Sequence, residues 1–291
     1  MSCPIPTIDL DAATVKATGK AVLRQAQQLQ QLLQRLQAAD SYDPATPHEI
    51  RKLTRKCAAG WQLLHRAHAV KRGRRVLRYW QAVRHHLGKL RDADIRLELF
   101  HASFPRSKAQ QQLLGHLEHS WLLQYQQTRK LFDDDVTNGK KLIVKLRKVL
   151  APSRNFRWNR RSQRWLQRML TRWAEQAATS LTHPECLHPF RISTKKLRYR
   201  LQYLEHILPQ DAAWLSTLEP LQEQLGRYHD ALNTLAWILE LEQLHQQRPA
   251  TNRVLRRDLR KWRSSCIRLQ RTAHARIRQL LRQIVKEMEG N

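Results

Sequence analysis

His188-Pro189-Phe190-Arg191-Ile192-Ser193-Thr194-Lys195-Lys196-Leu197-Arg198-Tyr199 is the stretch from which the chain is best read. Placed on a helix at about 100° per residue, His188, Arg191, Lys195, Arg198 and Tyr199 fall within about 100° of arc. Phe190, Leu197, Leu201, Leu204 and Leu208 fall on the opposite side. One face is cationic and the other is apolar. Taken alone, such a stretch describes any amphipathic surface helix with a solvated basic face. Its weight comes from a second copy.

That copy is Pro47-His48-Glu49-Ile50-Arg51-Lys52-Leu53-Thr54-Arg55-Lys56. His48, Arg51 and Arg55 repeat the spacing of His188, Arg191 and Lys195. Ile50, Leu53, Cys57, Trp61 and Leu64 form the apolar face. Thr46 suits an N-cap, Pro47 the first helical position, and Glu49 completes a capping box. By analogy the second helix begins close to His188, with Pro189 in its first turn, where a missing N–H costs little.

A second element also recurs. Leu87-Gly88-Lys89-Leu90-Arg91-Asp92-Ala93-Asp94 matches Leu225-Gly226-Arg227-Tyr228-His229-Asp230-Ala231-Leu232. The histidines are 140 residues apart and the glycines 138. Two motifs in the same order at nearly the same offset indicate a tandem duplication of a helical unit.

Composition agrees with helix. The 291 residues include only 8 Gly and 11 Pro, and 41% are hydrophobic, enough for a real core. Helices are expected at about 9–38, 47–68, 74–90, on to about 103, 107–132, 140–150, 158–180, 188–207, 211–225, 228–247 and 251–287. Asn138-Gly139 reads as a turn, Gly226 as a break, and Asp133-Asp134-Asp135 as a solvated helix end. The expected fold is all-α: one domain over 1–291 made of two tandem four-helix-bundle-like repeats, about 9–150 and 156–288, related by a pseudo-two-fold axis. The duplication boundary falls near 151–156.

The four cysteines are scattered and form no C-x-x-C, which fits a reducing compartment. No secretory signal is expected at the N-terminus, and no run approaches the 18 or so apolar residues of a membrane span.

Charge is the strongest compositional signal. Lys plus Arg total 53 against 24 acids, a formal charge of +29, which implies a polyanionic partner. From Thr46 to Arg96 there are 14 Lys/Arg and three acids; from Arg248 to Lys286 there are 13 and one. On the last helix Arg253, Arg256, Arg257, Arg260, Arg271, Arg278 and Arg282 share a face opposite Leu255, Leu259, Trp262, Leu269, Ile277 and Leu280. Arginine presents a rigid fork to phosphate oxygens, so this helix is expected to help line an anion site. Neither G-x-x-x-x-G-K-[ST] nor G-x-G-x-x-G occurs, so binding falls to side chains on helices. Rows of cations at i, i+3, i+4 and i+7 span roughly 10 Å, which suits several consecutive phosphates better than one.

The two H-x-x-R-x-x-x-[RK]-[RK] helices, the K-K-L-R-Y run and the paired L-G-x-x-[RH]-D-A elements together resemble the conserved-histidine α-helical, or CHAD, family over about residues 10–288. The resemblance implies two bundle repeats and binding of inorganic polyphosphate by basic residues between them. Carried over, His48, Arg51, Lys52, Arg55 and Lys56 serve one half. His188, Arg191, Lys195, Lys196, Arg198 and Tyr199 serve the other, with Arg91 and Arg227 added from the junction motif. In the first repeat Ala58 and Ala59 stand where the second has Arg198 and Tyr199, which argues against symmetric use of the halves.

Two rival readings arise from the same residues. A metal phosphohydrolase set of His188, His229, Asp230 and Asp258 is disfavoured because the first-repeat counterpart of His229 is Arg91, which cannot ligate a metal. Asp92 and Asp230 read better as helix-start or arginine-orienting acids. Nucleic-acid binding, at least weak, is the alternative that +29 and nine tryptophans allow, but Trp61, Trp237 and Trp262 lie on apolar faces. The expectation is thus a non-catalytic, cofactor-free and metal-free polyphosphate binder of the cytoplasm, including polyphosphate granules. His48 and His188, heading the two cationic rows, are expected either to fix helix ends or to carry charge towards bound phosphate.

Overall fold

The computed structural model describes residues 12–38, 43, 45–67, 73–104, 111–150, 160–204, 214–246 and 253–289. Among them the chain is all-α, with ten α-helices: α1 (Ala12–Ala38), α2 (Ala45–Ala67), α3 (Gly73–His86), α4 (Gly88–Ser103), α5 (Gln111–Arg129), α6 (Phe132–Leu150), α7 (Arg160–Thr182), α8 (Leu187–Leu201), α9 (Trp214–Gln246) and α10 (Arg253–Glu289). A short 3-10 turn, Pro184–Cys186, leads into α8. The duplication boundary near 151–156 and the breaks expected at Pro105, Pro152, Pro209 and Pro249 lie outside the described residues.

The centre of the fold is a direct contact between the two basic helices, α2 and α8. In the first half α1 packs on α2 and α6, and α3 on α2. In the second, α8 lies against α7 and α9, while α9 runs along α10. The halves do not keep separate cores. One buried cluster runs from Val15, Leu29 and Leu33 on α1 through Trp61 and Trp80 to Trp173, Phe190 and Leu197 of the second half. A smaller one joins Phe100, Leu113 and Leu117 to Ile238, Leu255, Leu259, Trp262 and Cys266. Two ring contacts seat the basic helices: Trp61 meets Trp80 edge-on at 6.4 Å, and Phe190 stacks on Trp173 at 5.7 Å. The Trp173 indole also donates to buried Thr194 (3.0 Å), so α8 is pinned by polar as well as apolar contact.

The sequence expectations need correcting at several places. Asn138-Gly139 is not a turn but lies inside α6. Val136, Leu142 and Leu146 keep a helical apolar period across it, and a Cβ on Gly139 would collide with the Gln30 carboxamide and the Tyr79 hydroxyl. Glycine is there for close approach. Those groups hold α6 through its carbonyls: Gln30 donates to Val136 and Tyr79 to Asp135, each at 2.9 Å. Asp135, expected in solvent, is buried, with its carboxylate 2.9 Å from His86 Nδ1.

Gly226 does not break the second half either: α9 is a single helix with both Pro220 and Gly226 inside it. Leu218, Leu221, Leu225, Ala231, Thr234 and Ile238 form one unbroken buried stripe. That burial outweighs the roughly 1 kcal/mol of a mid-helix glycine and the larger cost of an internal proline. In the first half the same element does mark a joint, of one fully buried residue, Leu87. The cap of α2 falls earlier than Thr46: Asp43 accepts from the Ala45 N–H (3.0 Å) and the Thr46 hydroxyl (2.8 Å). α8 ends at Leu201 and tightens into a turn through Leu204.

Gly60 is the tightest joint between the halves. A Cβ there would lie 2.5 Å from Val22 Cγ2 and 2.6 Å from Tyr203 Cζ. The Tyr203 hydroxyl reaches Gln25 on α1 and, at 3.0 Å, the Lys56 carbonyl on α2. Gly60→Ala should therefore cost about 1–3 kcal/mol. Gly115→Ala, with nothing within 4 Å, should gain about 0.5–1 kcal/mol. Urea melts of both variants check the opposite signs; a Gly60→Ala protein as stable as Gly115→Ala would mean the joint is loose.

Candidate functional site

Between α2, α3 and α8 lies a groove of about 660 Å³. Its walls carry Arg51 and Arg55 from α2, Arg84 and His85 from α3, and Arg191, Lys195, Lys196 and Arg200 from α8. Ala58, Ala59, Leu77, Ile192 and the edge of Tyr199 supply the apolar lining. Among the described residues the lining thus has seven formal cations, before any histidine charge, and no aspartate or glutamate.

The carboxylates lie behind the groove. Arg191 Nη2 is 3.9 Å from Asp230, and Asp92 is the attractive charge on Arg51. The two repeated motifs therefore meet in both halves: the arginine of each H-x-x-R helix faces the aspartate of the L-G-x-x-[RH]-D-A element, as arginine-orienting acids would. Gly88 packs beside this pair, its Cβ position in ordinary contact with Arg51 Nη1 at 3.7 Å. Arg51 also donates to the Arg84 carbonyl at 2.7 Å, tying α2 to α3. The Arg191 Nε is buried with no hydrogen-bond partner among the described residues.

Burial sets the electrostatics. It draws the Lys195 ammonium down to about 7, with Arg191 and Arg55 adding to the effect and Asp230 opposing it. It draws Arg51 to about 10, reinforced by Arg55. Arg84 and Arg191 are lowered for the same first reason, and Asp92 and Asp230 are raised by it against the pull of Arg51 and Arg191. Charged groups of one sign are thus held short of full hydration, a state that a bound anion relieves.

The predicted residues divide into two sets. Arg51, Arg55, Arg191, Lys195, Lys196 and Tyr199 come together on the groove. Tyr199 does so as a buried core residue and not as a member of the cationic face. The others do not line it. Lys52 pairs with Glu49 (3.2 Å), Arg91 with Glu98 (2.7 Å), Arg227 with Glu223 (2.7 Å), and Arg198 with Glu219. Lys56 contributes its carbonyl to Tyr203. His48 is lowered by desolvation first and then by Arg91 and Arg55. His188 sits against His229, ring centroids 4.8 Å apart, and His229 is pushed to about 4 by burial and by Arg191. Arg253 is exposed at the start of α10, and Arg257 and Arg260 line a different cavity.

Arg84, His85 and Arg200 were missed. The first two close a helix with no repeated motif, though its basic last turn was a signal. Arg200 directly follows the K-K-L-R-Y run. It bonds Gln62 and lies over the Trp165 ring at 5.1 Å, so it is fixed in place. Of the rival metal set, Asp230 faces Arg191, and Asp258 is buried on α10 beside Arg257 (3.8 Å). Among the described residues no three His, Cys, Asp or Glu side chains group to hold a metal ion, and no helix is long and apolar enough to cross a membrane.

No curated protein matches the sequence significantly. The fold is similar to a crystal structure of the CHAD domain from the plant Ricinus communis, at a TM-score of 0.70 and 19% identity, over 97% of this chain and 96% of that one. The sequence model of the CHAD domain matches residues 21–239, both basic helices and both junction elements included. With its repeated motifs meeting in the one fold, the chain belongs to the CHAD domain family.

Proposed function

We propose that this chain is a non-catalytic receptor for inorganic polyphosphate, acting in the cytoplasm and at polyphosphate granules, with the ligand lying in the groove between α2, α3 and α8. The observation that carries this is the acid-free lining with seven cations, on helices buried deeply enough to depress Lys195 and Arg51. Each phosphate of such a chain brings one negative charge and no base or sugar, and a groove lined by cations and by Ala58 and Ala59 suits that chemistry. Arginine forks supply paired donors to phosphate oxygens, and five of the seven cations in the groove are arginines. Membership of the CHAD family is consistent with this reading.

Nucleic acid is disfavoured by the aromatic residues. Trp61, Trp80, Trp173 and Trp262 are buried, Trp165 and Trp237 lie under Arg200 and Arg96, and Trp121 stacks on Tyr125. Each of these tryptophans is thus buried or has a neighbour over the ring, which favours packing over base stacking. In competition at equal phosphate concentration and physiological salt, polyphosphate should displace single-stranded RNA and duplex DNA. Equal competition by RNA would transfer the site to nucleic acid.

Arg191→Ala removes one charge-assisted contact, worth about 1.5–3 kcal/mol, or roughly tenfold to hundredfold in Kd. Combined with Lys195→Ala it should also flatten the dependence of log K on log salt. Unchanged binding by the folded double variant, measured by calorimetry, would remove both residues from the site.

Affinity should also fall with rising pH. Lys195 titrates at about 7 in the free protein, and a bound polyanion raises that value. The extra affinity of the charged ammonium is complete below about 7. It is lost as pH rises through the higher bound-state value, over roughly pH 7–9. Lys195→Arg, which repeats Arg55 of the first half and stays charged, should flatten the curve. Long chains with few terminal phosphates, at fixed ionic strength, isolate the effect; parallel curves would show that Lys195 does not sense the ligand.

A further inference from the structure

A second basic cavity, of about 610 Å³, opens between the end of α4 and the side of α10. Arg257, Arg260, Lys261 and Arg268 line it together with the hydroxyls of Ser103, Ser264 and Ser265. It shares no lining residue with the groove between α2, α3 and α8.

The sequence of α10 produces this arrangement. Positions 257, 260, 261, 264 and 268 follow the i, i+3, i+4, i+7, i+11 pattern of one helical stripe about 16 Å long. The opposite stripe, Leu255, Leu259, Trp262 and Cys266, is buried against Phe100, with the Phe100 and Trp262 rings edge-on at 5.5 Å. That packing fixes the rotation of α10, so the cations face the end of α4. There Ser103 Oγ donates to Ser265 Oγ at 3.0 Å, which leaves the Ser265 hydroxyl proton free to donate into the cavity. Among the described residues the lining contains no acid. Asp258 lies buried beside Arg257 at 3.8 Å, and among the described residues neither Lys261 nor Arg268 has an ion-pair partner.

We infer that this cavity is a second phosphate-binding site, and that it takes a further segment of the same kind of linear phosphate chain as the groove. Three arginine forks, one ammonium and the Ser265 hydroxyl are donors suited to phosphate oxygens, while Ser264 donates to the Arg260 carbonyl at 3.0 Å. The identity of the ligand rests on the proposed function; the existence of a second phosphate site does not. A chain long enough to engage both places gains by effective concentration, so long polyphosphate should be held more tightly than the groove alone allows.

Titration calorimetry with inorganic tripolyphosphate, too short to bridge, separates the sites. The native protein should show two. Arg257→Ala, Arg260→Ala, Arg268→Ala together should leave one and weaken long-chain binding by about tenfold or more. Arg191→Ala with Lys195→Ala should leave the other. Arg271→Ala, Arg278→Ala, Arg282→Ala removes the same charge from the same helix outside the cavity and should keep both; the mutated positions of both triple variants are exposed, and circular dichroism verifies their folding. The inference is overturned if the native protein has one site that the groove variant abolishes, a result that leaves the groove reading standing. It is overturned equally if the cavity variant keeps two sites, or if the control loses the second site as well. Loss of a site in the cavity variant but none in the groove variant would support the second site while sinking the groove.

Discussion

Arg51, Arg55, Arg191 and Lys195 stand on two helices that pack directly against each other, and their mutual repulsion is the constraint the rest of the structure answers. Cations that are partly stripped of water and set side by side are unfavourable twice, through desolvation and through like charge. The fold sustains them by strong apolar anchoring on the far side of each helix, with Trp61 on Trp80 under α2 and Trp173 with Phe190 under α8. It also sets one carboxylate behind each half, Asp92 and Asp230, close enough to orient an arginine and too far back to enter the groove. The positive potential that remains is directed towards the open side, where a polyanion would take the place of the missing counter-charge.

The two halves carry the same motifs but do not offer the same surface. Counting back from the glycine of the junction element, Gln81 and His85 of α3 correspond to Glu219 and Glu223 of α9. The first pair lines the groove, while the second holds Arg198 and Arg227 in ion pairs. On α2, Ala58 and Ala59 form a small-residue floor where α8 has Arg198 and Tyr199. Small neutral residues line the groove on the α3 side of the α2–α8 contact, while on the other side Arg198 and Arg227 are neutralised.

Much of this was legible in the sequence, for reasons that also explain what was not. The rows at 48–55 and 188–195 declared themselves because helical periodicity and repetition acted together, and six of the residues they and their neighbours pointed to share the groove. Helix ends were read worst where a glycine serves packing and not a turn. Gly139 admits Gln30 and Tyr79, and the apolar stripe of α9 runs past Gly226. The third wall was hidden because Arg84 and His85 belong to a helix without a repeat, and only packing shows which face of it turns to α2. Lys52 and Arg227 have their acids one helical turn away, Glu49 and Glu223, at a spacing the sequence already shows, whereas the Glu219 partner of Arg198 comes from another helix and only the fold brings it there.

The central claim, that phosphate is bound where α2, α3 and α8 converge, is tested most directly by a crystal structure of the protein with an inorganic oligophosphate. Phosphate density should run along the groove, with an oxygen within hydrogen-bonding distance of the Arg191 guanidinium and another near Lys195. Density that instead follows the outer row of His48 and Lys52, with the groove holding only water, would contradict it.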